Sequence, residues 1–225
     1  MLAHLCTLLL LLAAFTAPAR ADDSGFVDLF DGESLDGWVQ RGGEAPYKVV
    51  ADAEGGPEIV GTSVMGTPNS FLCTDRDYAD FVLEFEVWVD PAVNSGVQFR
   101  SNVYDAPTGD RPAGRVHGYQ CELDPSDRSW SGGIYDEARR GWLFNLEGDE
   151  HADARAAFKP GDWNQMRIEA VGDSIKTFVN GVQAADLSDG MTATGFIGLQ
   201  VHGIGKPEQA GKQIRWRKLR IQETP

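Results

Sequence analysis

Apolar and polar residues alternate along most of this chain with a period of two, and that period predicts strands. Phe81-Val82-Leu83-Glu84-Phe85-Glu86-Val87-Trp88-Val89 keeps it over nine residues, which a helix face repeating every 3.6 residues would not do. Met166 to Ala170 alternates in the same way. Ile175 to Val179 then runs into Asn180-Gly181, a pair suited to a type I′ turn because both central residues need positive φ, so 175–182 reads as a hairpin. Further strands are expected over 26–30, 47–51, 70–74, 95–101, 117–124, 132–136, 195–202 and 213–222. Only the alanine-bearing stretch 150–158 suits a helix, and Pro160 would end it. Segment 102–116, with two Pro and two Gly, reads as a long loop of the kind that shapes binding sites. Many short strands broken by Gly, Pro and Asp turns predict an all-β sandwich or jelly roll.

The N-terminus departs from this pattern. Leu8 to Phe15 is an apolar run too short for a bilayer span, which needs roughly 20 residues. Ala19-Arg20-Ala21 follows with small residues where a signal peptidase reads. Residues 1–21 are therefore expected to be a signal peptide, and 22–225 a single domain in the periplasm or outside the cell, with no membrane contact after cleavage.

The whole chain carries a formal charge of −14. Losing Arg20 leaves 19 Lys and Arg against 34 Asp and Glu, or −15. Such a surface repels phosphate backbones and anionic lipid, so nucleic acid is not an expected partner. The basic stretch Lys206 to Arg220 reads as a strand whose outer face pairs with acids. After cleavage only Cys73 and Cys121 remain, and both buried thiols and a single bridge fit their positions.

Three strands combine an apolar parity with an unusual polar one. Val97 and Phe99 oppose Gln98 and Arg100. Tyr119, Cys121 and Leu123 oppose Gln120, Glu122 and Asp124. Ile197, Leu199 and Val201 oppose Gly198, Gln200 and His202. Within a strand each polar row recurs at ~6.6 Å. Amides, carboxylates, guanidinium and imidazole make paired, directional hydrogen bonds, which suits sugar hydroxyls that both donate and accept. Trp130, Tyr135 and Trp142 could stack on a sugar ring. Asp136 and Arg140 read as a structural ion pair or a rim.

At this level of detail the chain resembles the 3-keto-disaccharide hydrolase family. NSGVQFR (94–100) is similar to its hallmark, and FVDLFDGESLDGW (26–38) to its first strand and Trp-bearing turn. GYQCELD (118–124) and SGGIYDEARRGWL (131–143) resemble its central strands. GDWNQMRIEAVGDSIKTFVNG (161–181) resembles its Trp-Asn strand and hairpin, and GFIGLQVHG (195–203) with IRWRKLRI (214–221) its closing strands. The resemblance implies a concanavalin-like jelly-roll sandwich of two curved antiparallel sheets, with a ligand on the concave one. It also implies glycosides already oxidised at C3. The chain departs from the family at Gln120, where an acid is usual, and at Lys218, where an Asn is usual.

For such a substrate a ketone at C3 acidifies the C2 proton. A base can then remove it, the C1 substituent leaves, and water adds back. The expected base and acid are Glu122 and His202, with Arg100 stabilising the enolate. Gln98, Gln120, Asp124 and Gln200 would hold hydroxyls, and Tyr135 and Trp142 the ring. No cofactor is called for. A divalent ion on Glu122, Asp124 and His202 is chemically open, although no spacing motif demands one. Two other readings share these residues: a lectin-like binding module, and a retaining glycosidase with acids on alternate positions of one strand.

Overall fold

The computed structural model describes residues 25–224. The expected signal peptide lies outside them. Two antiparallel sheets face each other. The back sheet holds β1 (Val27–Asp28), β3 (Tyr47–Val50), β4 (Glu58–Thr62), β6 (Phe81–Val89), β11 (Asn164–Val171), β12 (Ser174–Val179), β13 (Val182–Ser188) and β15 (Gln213–Glu223). The front sheet holds β2 (Trp38–Gly42), β5 (Ser70–Thr74), β7 (Ser95–Val103), β8 (Val116–Leu123), β9 (Ile134–Glu137), β10 (Gly141–Phe144) and β14 (Phe196–Val201). The back sheet runs in the order β13-β12-β11-β6-β15-β4-β3, with β1 added beside β15. The front sheet runs β10-β9-β8-β7-β14-β5-β2.

The period-two pattern has a direct physical result. On β6, Phe81, Leu83, Phe85, Val87 and Val89 enter the space between the sheets. They meet Val97 and Phe99 of β7, Tyr119, Cys121 and Leu123 of β8, and Ile197, Leu199 and Val201 of β14 in one core. Each such side chain contributes about 1.5–3 kcal/mol when it leaves water. The opposite parity of the back sheet faces solvent and is laced by ion pairs: Arg215 with Glu58, Arg217 and Lys218 with Glu86, and Arg220 and Arg167 with Glu84. The basic stretch near the C-terminus is therefore an outer strand face matched by acids, as its pattern indicated.

Asn180 and Gly181 take φ of 49° and 83° between β12 and β13, the backbone a type I′ turn requires. The helix α1 covers Ala152–Ala157 after a short 3-10 turn. Strands β7 and β8 run further than their patterns suggest and shorten the loop between them to 104–115. The strand β4 was hidden from the sequence because Glu58, Ile59, Val60 and Gly61 are all buried, so no polar parity marks it.

Cys73 and Cys121 are both buried and free. Cys121 lies in the inter-sheet core. Cys73 does not share that side: it packs with Phe71, Val116 and Phe196 in a separate apolar cluster on the other face of the front sheet. The sheet itself stands between the two thiols. Burial pushes the Cys73 thiol up to about 12 and the Cys121 thiol higher still.

Candidate active site

The strands β8, β7 and β14 are neighbours at the centre of the front sheet, so their polar rows fall on one surface. Arg100 does not join them. Phe99 pairs with Tyr119 and Asn102 with His117, which places three steps of β7 against two of β8. That extra residue is a β-bulge, and Arg100 sits in it with φ of 44°. The bulge reverses the parity, so Ser101 takes the place alternation gives to Arg100. The Arg100 side chain, 1% exposed, turns toward the back sheet. Its Nε donates to Ala79 O, its Nη1 to Gly172 O and its Nη2 to Asp80 Oδ1, each at 2.7 Å. Arg100 is thus a clamp between sheets, and the expectation that it stabilises an enolate is corrected.

The three glutamines converge. Gln98 Nε2 donates to Gln120 Oε1 at 2.7 Å, and Gln200 Nε2 donates to the same oxygen at 2.9 Å. Gln120 Nε2 in turn donates to Glu122 Oε2 at 2.9 Å. Ser101 Oγ closes the far end by donating to Gln98 Oε1 at 2.7 Å. Room for this network comes from Gly96, the residue opposite Glu122 across β7 and β8. A Cβ there would lie 2.5 Å from Gln120 Cδ and 2.6 Å from its Cγ. Gly96→Ala is therefore expected to displace Gln120 and break its hydrogen bonds with Glu122, Gln98 and Gln200 in a folded protein. Side-chain amide NMR with circular dichroism on the same sample checks this.

Glu122 is 4% exposed. Burial is the main cause that raises its carboxyl to about 7. Hydrogen bonds from Gln120 and Asn94 and the charge of Arg128 offset part of this, while Asp124 adds to it. Asp124, two residues on, behaves oppositely. Burial opposes its charge too, but bonds from Ser126 and Arg128 outweigh that and hold it below the ordinary range. Two carboxyls with environments that separate their pKa values are the usual signature of an acid–base site.

Glu122 lies in a cleft of about 380 Å³ lined also by Asn69, Asn94, Arg115, Gln120, Arg128, Tyr135, Glu137, Trp142, Gln200 and His202. That volume falls in the range of small-molecule sites, roughly 300–1,000 Å³. Arg128, which the strand pattern does not reveal, bridges the two carboxyls. Its Nη2 lies 3.2 Å from Glu122 Oε1 and its Nε 2.7 Å from Asp124 Oδ2. The guanidinium carbon stands 4.7 Å from the Trp130 ring centre and 5.2 Å from that of Trp142. Trp142 meets Tyr135 edge-on at 5.2 Å, so the aromatic wall is itself packed. His202 Nδ1 lies 2.6 Å from Gly203 O. A carbonyl only accepts, so Nδ1 carries the proton and Nε2 is the ring atom left for other partners.

The structure therefore brings Glu122, Gln120, Gln200, His202, Tyr135 and Trp142 to one cleft. Gln98 lies beneath it within the glutamine network. Asp124 lines an adjoining cavity of about 410 Å³ that shares Asn94, Arg128 and His202 with the first. Among the described residues no group of three His, Cys, Asp or Glu side chains is arranged to hold a metal ion, and the Arg128 guanidinium joins Glu122 to Asp124. Asp136 is fully buried and paired with Arg139 and Arg140, the structural ion pair its sequence position suggested. Asn69, Asn94, Arg115, Arg128 and Glu137 are cleft residues that sequence reasoning missed. Only the Asp124–Arg128 spacing in the turn after β8 carries any signal for them. A depression of about 540 Å³ on the outer back sheet is larger, but its Glu84 and Glu86 are already paired with Arg and Lys.

Comparison with solved structures places the architecture among β-sandwiches of the lectin type. A proposed glycosyl hydrolase from Parabacteroides distasonis is similar over 90% of this chain and 95% of its own, at 16% identity and a TM-score of 0.58. The carbohydrate-binding module CBM66 from Bacillus subtilis matches 83% of this chain and 96% of its own, at 14% identity and a TM-score of 0.55. A Bacillus subtilis protein of unknown function with a galectin-like fold matches 84% of this chain and 90% of its own, at 11% identity and a TM-score of 0.56. These likenesses establish a lectin-type sandwich. No curated protein matches the chain. The model of the 3-keto-alpha-glucoside-1,2-lyase-like domain matches residues 25–222, which is nearly the whole described chain. The chain belongs to the 3-keto-alpha-glucoside-1,2-lyase-like domain family.

Proposed function

We propose that this protein is an exported hydrolase of glycosides that carry a ketone at C3, acting in the periplasm or outside the cell. The observation that carries the reading is the Glu122 carboxyl, buried beside a sugar-sized polar cleft and raised to about 7. Ionised, it takes the proton from C2, and the electron pair passes to the C3 carbonyl as an enolate. Arg128, with a guanidinium 3.2 Å from that carboxylate, supplies positive charge at the reacting face in place of Arg100. The enolate then expels the C1 oxygen, which leaves with a proton from a His202 ring protonated at Nε2 as well as at Nδ1, and a C1=C2 enone remains. In the second half His202 takes a proton from the water whose hydroxyl adds to C1, and Glu122 returns its proton to C2, so both groups are reset and the net change is hydrolysis. Gln200 and Asn94 line the position of the sugar hydroxyls, and Tyr135 and Trp142 its apolar face.

Protein lacking residues 1–21 is expected to release the aglycone from a 3-keto-glucoside far faster than from the unoxidised glucoside. The base must be ionised, so kcat/KM should rise with pH through about 7. Inactivity on both substrates, with binding of either sugar preserved in calorimetry, would replace the enzyme by a lectin-like module.

A further inference from the structure

We propose that Gln98, Gln120 and Gln200 form a two-way amide relay that positions Glu122 in both of its protonation states, the three amides turning over together when the carboxyl gains its proton. A carboxylate only accepts hydrogen bonds, whereas a carboxylic acid must also donate one. In the orientation described, Gln120 presents its NH₂ to Glu122 Oε2 at 2.9 Å, which suits the anion. The other oxygen, Oε1, faces Asn94 Nδ2 at 3.3 Å and Arg128 Nη2 at 3.2 Å. Arg128 can never accept, so a proton on Oε1 would lie against a fixed donor, with only the longer 3.3 Å contact to Asn94 able to turn and accept it. Oε2 is where the proton finds an acceptor, provided the Gln120 amide turns to offer its oxygen.

The rest of the network can follow that turn, each amide exchanging its oxygen and nitrogen between the same two positions. Gln120 then aims two N–H groups at Gln98 and Gln200, whose contact distances are 2.7 and 2.9 Å, and each of these turns to offer its oxygen. Gln98 NH₂ meets Ser101 Oγ at 2.7 Å. That hydroxyl can pass its own proton to Phe99 O or Tyr119 O, each at 3.2 Å. Gln200 Oε1, buried with no hydrogen-bond partner among the described residues, gains one by turning. In the ionised state the unpaired atom is an acceptor, and in the protonated state it would be a donor, the costlier of the two to bury. The carboxyl's charge thus selects the orientation. Other charged or titratable groups face Glu122 as well: Arg128 and Asp124 from the segment after β8, His202 from the end of β14, and Arg115, Tyr135 and Glu137 around the cleft. None of them can both donate and accept at the place Gln120 occupies.

The relay's use in catalysis rests on Glu122 being the base, but its existence does not. Neutron diffraction from deuterated crystals at pH 5.5 and 8.5 locates amide deuterons directly. The expected result is the Gln120 ND₂ group toward Glu122 at the higher pH and toward Gln98 and Gln200 at the lower. One orientation at both values overturns the proposal. In solution, the Gln98 side-chain ¹⁵N–¹H signals should titrate with the midpoint of Glu122, and Gln120→Met should abolish that titration while Glu122 still ionises. A Gln98 signal that titrates equally in Gln120→Met reports only the distant charge and also overturns it. If the protein fails to turn over 3-keto-glucosides, these readouts are unaffected, so the two ideas fail separately.

Discussion

Glu122→Gln is expected to yield a folded protein whose kcat/KM on a 3-keto-glucoside falls by about 10²–10⁴-fold, the usual worth of a positioned general base. The same change should make the protein more stable at pH 8. The Glu122 carboxyl lies at about 7 in the native state against an ordinary 4.5, so between those values the folded chain keeps a proton the unfolded chain releases. Stability therefore falls as pH rises from about 4.5 through 7, and the charge then costs on the order of 3 kcal/mol. A neutral amide of the same shape removes that cost. Urea unfolding at pH 5 and pH 8 should show wild type and variant close together at the lower pH, with the variant ahead at the higher. Retained turnover would remove Glu122 from the role of base. Lost turnover with no gain at pH 8 would mean the carboxyl is not raised.

Arg100→Met is expected to do the reverse: damage the fold while leaving the chemistry of whatever remains folded. The guanidinium satisfies two carbonyls and the Asp80 carboxylate while almost wholly buried. Removing it strands the two carbonyls and takes the cation from Asp80, whose carboxylate keeps only the Gly172 N–H at 3.0 Å, at a cost of about 3–5 kcal/mol. For a domain near 200 residues that is roughly a 10 °C fall in Tm. Calorimetry measures the fall, and turnover per folded molecule, well below the new Tm, should match wild type. Loss of turnover without loss of stability would return Arg100 to the active site. The contrast with Glu122 is useful because alternation alone makes Arg100 and Glu122 look like equals.

How far the pattern of residue types reached is clear from particular strands. In β6 and β14, and in β8 from Tyr119 onward, one parity is apolar without exception, and each lies with that parity in the core. Alternation is enough there, because a strand that must bury one face has no other register. It failed at β4, where both faces are buried, and at Arg100, where one extra residue inverts every side chain that follows in the strand. Cys73 lies on the opposite side of the sheet from Cys121 for a related reason. An apolar residue need not face the main core when a small apolar cluster exists on the other side of the sheet.

The cleft divides in the same way. Tyr135 and Trp142 were visible as aromatics close in sequence to the polar rows. Arg128 was not, since a turn residue's direction depends on what its loop packs against.

By itself the sequence determined the all-β class, the central strands and the amide-rich surface of three of them, because strand geometry alone sets which side chains share a face. Only the tertiary structure decided that β8, β7 and β14 are neighbours and that their rows form one surface, since pairing order is a matter of long-range contacts. It also decided that Arg100 leaves that surface and that Arg128 enters it. And it alone turned Glu122 from an ordinary acid into one raised to about 7, because the burial that raises it is a property of the packed cleft and of no segment taken alone.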